Sequence, residues 1–280
     1  YLWFSRNKPD IVILSAAKVG GILANNNQPV EFLLENIKIQ NNLIEASFKN
    51  KVKKFLFLGS SCIYPKLSKQ PIKEEYLLTD ELESTNQWYA IAKIAGIKLC
   101  EAYRKQYNFD AISLMPTNLY GPKDNYNTRD SHVMAAFIRK FHEAKTNNLK
   151  KVICWGTGKP LREFLYVEDF AEACLFCLQK WDIENDHAPK RLDGTPHCWL
   201  NVGSNYEISI FDLAKKVADI IGFDGEIIWD HSKPDGTPRK KLDSFHINNL
   251  GWKAKTNIES GIKNTLDSFK NELREKIIRF

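Results

Sequence analysis

No stretch of this chain stays apolar long enough to cross a membrane, and nothing at its start reads as a secretory signal. Neither a membrane partner nor a secreted setting is expected. Cysteine is sparse, with six residues at positions 62, 100, 154, 174, 177 and 198. They follow no framework spacing, so no disulfide scaffold is expected, and a reducing, cytoplasmic compartment is. Cys174-Leu-Phe-Cys177 has no second pair and lies inside an apolar helical run, which favours buried small side chains over zinc or redox chemistry; no metal is expected. Low-complexity segments and internal repeats are missing. The formal charge of +6 is mild and spread along the chain, which gives no ground for nucleic-acid binding and suits an anionic small substrate. The densest basic run, Lys49 to Lys54, reads as a solvated helix-to-strand loop.

What is present is ordinary globular composition, 43% hydrophobic and 26% charged, in 280 residues. That length holds one large or two small domains. The chain opens on Tyr1 rather than Met and reaches a strand by Ile11, so a fragment of a longer protein, its N-terminus missing, is expected. Ile11 to Ala16 is a continuous apolar run that fits a strand buried on both faces. Gly20-Gly21 ends it, and Pro29 to Asn50 follows with helical spacing at Phe32, Ile37, Ile39, Leu43, Ile44 and Phe48. Phe55 to Leu58 is a second strand. A helix runs from before Tyr89 to about Tyr107, and Ala111 to Met115 is a third strand.

This alternation predicts a parallel sheet with covering helices and right-handed crossovers. Ligands of such sheets bind beyond the carboxyl ends of the strands. Gly59-Ser60-Ser61-Cys62 and Pro116-Thr117-Asn118 both stand there. From Ser131 the texture changes. Helices are expected over Val133 to Ala144, Glu168 to Gln179, from a capping-box-like Ser209 to Ile221, and from Asn257. Strands are expected at Val152 to Trp155, Phe164 to Val167, Leu200 to Val202 and Glu226 to Trp229. Trp181 to His197 reads as a surface loop, and Lys233 to Lys241 as a basic turn-rich one.

The chemistry centres on Trp88-Tyr-Ala-Ile-Ala-Lys-Ile-Ala-Gly96. Tyr89 and Lys93 are one helical turn apart on the same face. An ammonium beside a phenol favours the phenolate, so a lowered tyrosine pKa and proton transfer near neutrality are expected. Tyr89 alone among ten tyrosines has Lys at this spacing, yet about one such pair is what chance gives, and an exposed helical pair is the bland alternative. The converging segments raise its weight. A strand-end hydroxyl from Ser60 or Ser61 with Tyr-x-x-x-Lys on the next helix suits carbonyl reduction, although a serine in that place is more often just a turn former.

Seven segments in order carry a resemblance: Ala16-Ala-Lys-Val-Gly-Gly21, Leu58-Gly-Ser-Ser-Cys-Ile-Tyr-Pro65, Tyr89-Ala-Ile-Ala-Lys93, Met115-Pro-Thr-Asn-Leu-Tyr-Gly-Pro122, Ser131-His-Val133, Arg162-Glu-Phe164 and Lys233-Pro-Asp-Gly-Thr-Pro-Arg239. Together they resemble the extended short-chain dehydrogenase/reductases, and within them the enzymes that epimerise and reduce a GDP-4-keto-6-deoxy-D-mannose. The resemblance implies an α/β fold: a Rossmann-like doubly wound parallel sheet with a smaller mixed α/β substrate-binding lobe. Residues 1–130 would form a partial dinucleotide-binding domain, to which segments near 152–180 and 200–206 return. Residues 131–280 would be mainly the substrate lobe.

The same resemblance implies a reductase triad of Ser60, Tyr89 and Lys93, and an epimerase acid/base pair of Cys62 and His132. Alone, Cys62 would more often be a small core residue and His132 a capping or surface histidine. A thiol and an imidazole both titrate near working pH, as removing and returning a proton beside a ketone requires. NADPH is the implied cofactor, its nicotinamide half lined by Leu58, Gly59, Ser60, Ser61, Lys93, Pro116, Thr117, Asn118, Leu119 and His132. A GDP-sugar substrate would be held by Lys140, Trp155, Arg162 and Asp235, with Arg239 a weaker candidate. For these a solvated arginine, a core tryptophan and a turn aspartate are the ordinary readings. Lys140 departs from the arginine the family pattern leads one to expect, keeping charge but losing the planar fork. A homodimer packed through the helix after Pro29 and the Tyr89 helix is also implied.

The family opens with a strand and a Gly-x-x-Gly-x-x-Gly turn for the pyrophosphate, and this chain has no such turn. Poor dinucleotide binding by the chain as it stands is therefore expected, along with an unpaired sheet edge. Two rivals remain open. Another nucleotide-sugar epimerase or dehydratase would keep Tyr and Lys, but a dehydratase would carry an acid, commonly Glu, where Ser-Ser-Cys-Ile-Tyr stands. A non-catalytic nucleotide-sugar-binding protein fits the missing turn but not the intact Ser60, Cys62, Tyr89, Lys93 and His132.

Overall fold

The structure, a computed structural model, describes residues 1–280 other than Arg129, Pro234 and Phe280. Pro234, part of the Lys233–Arg239 motif, thus lies outside the described residues. A short helix, α1 (Leu2–Asn7), leads into β1 (Ile11–Leu14), then α2 (Ile22–Asn27), α3 (Pro29–Lys49) and β2 (Lys54–Leu58). A long excursion precedes α4 (Gln87–Tyr107), β3 (Ala111–Pro116) and β4 (Asn118–Tyr120). The second half runs α5 (Val133–Thr146), β5 (Lys151–Trp155), β6 (Leu161–Tyr166), α6 (Val167–Lys180), β7 (Trp199–Val202), β8 (Glu207–Ser209), α7 (Ile210–Ile221), β9 (Glu226–Asp230), β10 (Arg239–Lys240), α8 (Phe245–Asn249) and α9 (Ile258–Glu275).

Strands β1, β2, β3 and β7 form a parallel sheet in that order. Its central strands read as apolar runs because helices cover both faces: all six residues of β3 are buried. Helix α3 starts on Pro29, where the missing N–H costs nothing, and buries Phe32, Asn36, Gln40 and Ile44 at one-turn spacing. The Gln40 amide crosses to the Ala92 carbonyl of α4 at 2.7 Å. Helix α4 lies close on β2 because residue 96 is glycine: a Cβ there would fall 2.5 Å from the Phe57 ring. That approach brings Lys93, one turn earlier, down onto the end of β2.

A second sheet joins β10, β6 and β4 in parallel, with β8 antiparallel on β6. A parallel pair, β5 and β9, stands apart from both. Two apolar cores result. One contains Phe55, Phe57, Ile97, Ile112, Leu114 and Trp181, and the other contains Phe137, Ile138, Phe141, Leu213, Val217 and Phe269. The α/β class with parallel sheets is as expected. The Ser209 hydroxyl caps α7, accepting from the Asp212 N–H at 2.9 Å.

Three readings change. Strand β1 is not buried on both faces: Ile11 and Ile13 are exposed, because β1 borders the described sheet and pairs only with β2. The 181–197 segment is not wholly a surface loop. Trp181, Ile183 and His197 turn inward and close the side of the first core. The stretch near 152–180 divides: Val152 and Cys154 of β5 pack in the second core, whereas Phe170, Ala173, Cys174 and Cys177 of α6 pack in the first.

Glu74 is buried where the excursion after β2 meets β7, and its carboxyl accepts the Asn201 N–H at 2.9 Å. Burial pushes its pKa from 4.5 up to about 8 against the pull of that bond, with Asp243 and Glu75 adding to the rise. The folded chain therefore holds a proton that the unfolded chain releases above pH 4.5. Stability from this group is full below that pH and declines as pH rises toward 8. Glu74→Gln, which keeps the accepting oxygen, is expected to remove this decline, on the order of a few kcal/mol. Urea midpoints at pH 5 and pH 8 in both proteins measure it, and equal slopes would rule the account out.

Candidate active site

The site begins at the carboxyl end of β2. The Gly59 N–H continues the ladder to the Leu114 carbonyl at 2.9 Å, and a Cβ on Gly59 would fall 2.3 Å from the Met115 sulfur. Only glycine lets the chain leave the sheet so close to β3. Ser60 follows in extended backbone, and its Oγ accepts the Cys62 N–H at 3.2 Å, capping a single 3₁₀ turn over Ser61–Ile63. Ser61 is buried, while Ser60 and Cys62 are partly exposed.

Helix α4 brings Tyr89 and Lys93 to the same place. Lys93 is buried, donates one N–H to the Leu58 carbonyl at 2.8 Å, and lies 5.7 Å from the centre of the Tyr89 ring and 4.9 Å from that of Phe57. The expected lowering of the phenol pKa is corrected here. Burial, then the charge of Cys62, push the Tyr89 pKa well up, against a hydrogen bond to Ser60. The strain falls on the lysine instead: burial lowers Lys93 from 10.5 to about 8. Desolvation outweighs the attraction that spacing alone suggested, because both groups share one dry wall.

Across the cleft, the Cys62 sulfur accepts from two donors that the sequence reading did not name. Lys240 Nζ is 3.3 Å away and Asn86 Nδ2 is 3.4 Å away. Burial raises the thiol pKa, but the Lys240 ammonium, the Ser60 hydroxyl and Arg162 outweigh it, and the net value lies below that of an ordinary cysteine. His132 stands at the N-cap position of α5 without a side-chain capping bond, open to solvent on one side and facing Lys240 on the other. The cleft walls, then Lys240, pull its pKa down. The two missed residues left faint signals. Lys240 is one position beyond the quoted Lys233–Arg239 motif, and Asn86 stands three before Tyr89 at the mouth of the same helix.

The substrate candidates gather on the second sheet and the β5–β9 pair. Arg162 Nη1 donates to its neighbour's carbonyl at 2.8 Å, and the guanidinium, partly buried, faces Asp235 and Cys62. Trp155 is exposed, with the Lys140 and Lys233 ammonium groups 5.5 Å and 5.7 Å from its ring centre. Lys140 also donates to the Ile153 carbonyl at 3.0 Å. Both Asp235 oxygens are engaged, taking the Thr157 N–H at 2.7 Å and the Thr157 hydroxyl at 2.8 Å, which fixes the turn beside Trp155. Arg239 is corrected: it is exposed and forks onto the Glu207 carboxylate at 2.8 Å through Nε and Nη2, so it turns away from the cleft. Pro116, Thr117, Asn118 and Leu119 stand at the carboxyl end of β3. The Thr117 hydroxyl and the Asn118 amide both donate to the Glu163 carbonyl, so their side chains face β6.

Residues 3–188 match the NAD dependent epimerase/dehydratase family. The chain belongs to that family. It is 53% identical over 265 residues to GDP-L-fucose synthase 1 of Arabidopsis thaliana, covering 95% of this chain and 78% of that protein. Among solved structures it is similar to a GDP-6-OMe-4-keto-L-xylo-heptose reductase of C. jejuni, with TM-score 0.88, 36% identity, and 97% and 85% of the two chains covered. It is also similar to a GDP-L-fucose synthetase of Naegleria fowleri bound to NADP, with TM-score 0.83, 28% identity, and 99% and 81% covered. The resemblance read from the seven motifs is borne out.

The residues present fit the nicotinamide–ribose half of this family's dinucleotide. Lys93 spends one of its three N–H donors on Leu58, which leaves two for ribose hydroxyls, and the missing side chain at Gly59 keeps the strand end open. Lys93 also sets a pH limit. Its charge is lost as pH rises through about 8, whereas the Tyr89 proton is held to much higher pH. Reduction is expected to slow across that window, followed as NADPH oxidation at saturating substrate. Lys93→Met is expected to lose at least about 100-fold in rate and to show no inflection near pH 8. A wild-type rate flat from pH 7 to pH 9 would rule out loss of the Lys93 charge as a limit on the rate.

Proposed function

We propose that this protein converts GDP-4-keto-6-deoxy-D-mannose to GDP-L-fucose, by 3,5-epimerisation followed by NADPH-dependent reduction at C4. One observation carries the reading: a thiol paired with a cation, Cys62 with Lys240, stands in the same cleft as Tyr89 and Lys93. A carbonyl reductase needs only the second pair. A thiolate in that cleft, beside a ketone held for reduction, is placed to take a proton from the neighbouring carbon.

In this reading, hydrogens at C3 and C5 of the sugar are acidic because each neighbours the C4 ketone. Cys62 takes such a proton, and the electron pair of the C–H bond moves toward the C4 oxygen. Ser60 and Tyr89 hydroxyls hold that oxygen, an interaction worth several kcal/mol when the charge is fully formed. His132, on α5 across the cleft mouth, returns a proton to the opposite face. NADPH, when bound, supplies the hydride for C4. Tyr89 then gives its proton to the same oxygen, and Lys93 orients the ribose and Tyr89. Arg162 pairs with the diphosphate, assisted by Lys140, and Trp155 lies against the nucleotide. Asp235 acts mainly by holding the Thr157 turn.

We assign the dinucleotide to residues 1–130 with the returns of α6 and of 200–206, and the sugar nucleotide mainly to the rest of 131–280. The two separate apolar cores support that division. A cytoplasmic setting is supported by six cysteines that are all free thiols. Among the described residues, no helix is long and apolar enough to cross a membrane.

The test is turnover in D2O by the full-length protein, with the keto sugar and NADPH. Deuterium at C3 and C5 of the product is followed by NMR, and NADPH by absorbance. Cys62→Ser is expected to lose deuterium entry and inversion while retaining hydride consumption. Tyr89→Phe is expected to lose reduction by about 100-fold or more while still exchanging deuterium into substrate. NADPH oxidation with no deuterium at either carbon would reduce the protein to a plain 4-ketone reductase.

We also propose a homodimer packed through α3 and α4. Val30 and Leu34, and Trp88 and Ile91, are exposed at one-turn spacing on these two neighbouring helices. Sedimentation is expected to give a dimer, and Leu34→Glu with Ile91→Glu a monomer. A wild-type monomer at micromolar concentration would end this proposal.

A further inference from the structure

A cysteine can draw a proton from carbon only as a thiolate, and burial works against that form. Something must hold the charge on Cys62 before substrate arrives. Four ionisable groups face it from the elements packed around it: Lys240 on β10, Arg162 on β6, Tyr89 on α4 and, beyond Lys240, His132 on α5. The uncharged Ser60 and Asn86 complete its surroundings. Tyr89 carries no positive charge, and His132 meets Lys240 rather than the sulfur. Of the two basic side chains, Lys240 alone donates to sulfur, at 3.3 Å.

The strand that carries it is built for one position. β10 has only two residues, paired in parallel with Leu161 and Arg162 of β6. So short a strand has little cohesion of its own. It is fastened from outside instead. Upstream, Pro238 takes the Leu161 N–H at 2.9 Å. Downstream, Gln70 Oε1 takes the Lys241 N–H at 2.9 Å, and Glu163 Oε2, fully buried, takes the Leu242 N–H at 3.0 Å. Ile72 bonds on both sides of Leu242, donating to the Lys241 carbonyl and accepting from the Asp243 N–H, each at 2.7 Å.

The register adds an independent argument. Lys240 lies directly opposite Arg162, and like charges opposite each other on neighbouring strands repel. Two cations held side by side at a partly buried cleft call for an anion between them. Asp235 answers Arg162, and the Cys62 sulfur, also within the field of Arg162, is the acceptor the structure places on Lys240.

We propose that Lys240 is a catalytic residue of the epimerisation, the resident cation of the Cys62 thiolate, with β10 fastened by Glu163, Gln70 and Ile72 to hold its ammonium on the sulfur. This rests on the epimerase reading above. In the step itself the sulfur gains the C–H proton, the bond's electron pair passes to the C4 oxygen, and negative charge moves from sulfur to that oxygen. No proton leaves Lys240. It donates to the thiolate before the step and remains beside the neutral thiol after it. Arg162, left with its fork, serves the diphosphate.

The test reads the thiol directly. Alkylation of Cys62 by iodoacetamide is measured against pH on the whole protein without substrate, with the Cys62 peptide quantified by mass spectrometry. The wild-type midpoint is expected below that of an ordinary thiol, about 8.5. Lys240→Met is expected to raise it by a pH unit or more, a tenfold or greater loss of thiolate at neutrality. It is also expected to slow deuterium entry at C3 and C5 by about 100-fold with KM little changed. Lys240→Arg is expected to restore most of both. An unchanged alkylation profile in Lys240→Met, with its defect in KM, would make Lys240 a substrate ligand and overturn the proposal. If Lys240→Met does not fold, the wild-type profile decides alone, and an ordinary midpoint overturns it. A shifted profile in a protein that puts no deuterium at C3 or C5 would remove the epimerase reading, and Lys240's catalytic role with it, while leaving the ion pair standing.

Discussion

The site depends on one buried carboxylate, Glu163. Its oxygens accept the Asn205 N–H at 2.8 Å and the Leu242 N–H at 3.0 Å, while its own carbonyl accepts the Thr117 hydroxyl and the Asn118 amide. Four segments therefore meet on one residue: the turn between β3 and β4, strand β6, the loop after β7, and the chain leaving β10. Gly203 makes room, since a Cβ there would fall 2.4 Å from a Glu163 oxygen. Burial pushes the carboxyl pKa up, and the backbone donors pull against it. A buried carboxylate is costly unless its lone pairs are filled. Here they are filled by main chain, with Lys241 adding a weaker favourable charge, which leaves the neighbouring Arg162 and Lys240 uncommitted to Glu163. The two cations are thereby kept for the cleft.

Much of this arrangement was legible in the sequence. Strands at Phe55 to Leu58 and Ala111 to Met115 could be read because Phe55, Leu56 and Phe57 and all of the second strand are buried, and so are plainly apolar. The site segments followed from topology, since carboxyl ends of parallel strands are where a chain can leave the sheet and expose polar groups. The seven motifs located Ser60, Cys62, Tyr89, Lys93 and His132 within longer matching runs, and all five stand around one cleft.

What was not legible depends on distances that spacing does not contain. Tyr-x-x-x-Lys places a cation near a phenol, but whether attraction or desolvation wins depends on how dry the wall is. Here Lys93 bonds a strand carbonyl and loses basicity, while Tyr89 retains its proton. Arg239 and Lys240 are adjacent and equally charged in the sequence, yet alternation along an extended strand sends one to Glu207 and the other to Cys62. Nothing short of the register of β10 on β6 separates them. Asn86 was hidden for a similar reason: it precedes the helix that was read and reaches back across the chain to a loop residue 24 positions earlier.

The two chemistries are coupled through charge. Cys62 is among the groups that raise the Tyr89 pKa, so a thiolate in the cleft helps keep the phenol protonated. While the sulfur is ionised, Tyr89 keeps its proton and can donate a hydrogen bond to the C4 carbonyl oxygen before the C–H bond breaks. When the sulfur takes a proton from carbon, the charge passes to the C4 oxygen, which the Tyr89 hydroxyl also meets in the proposed reaction. The phenol thus stays protonated through either charge distribution, and its proton remains available for the C4 oxygen when the carbonyl is reduced.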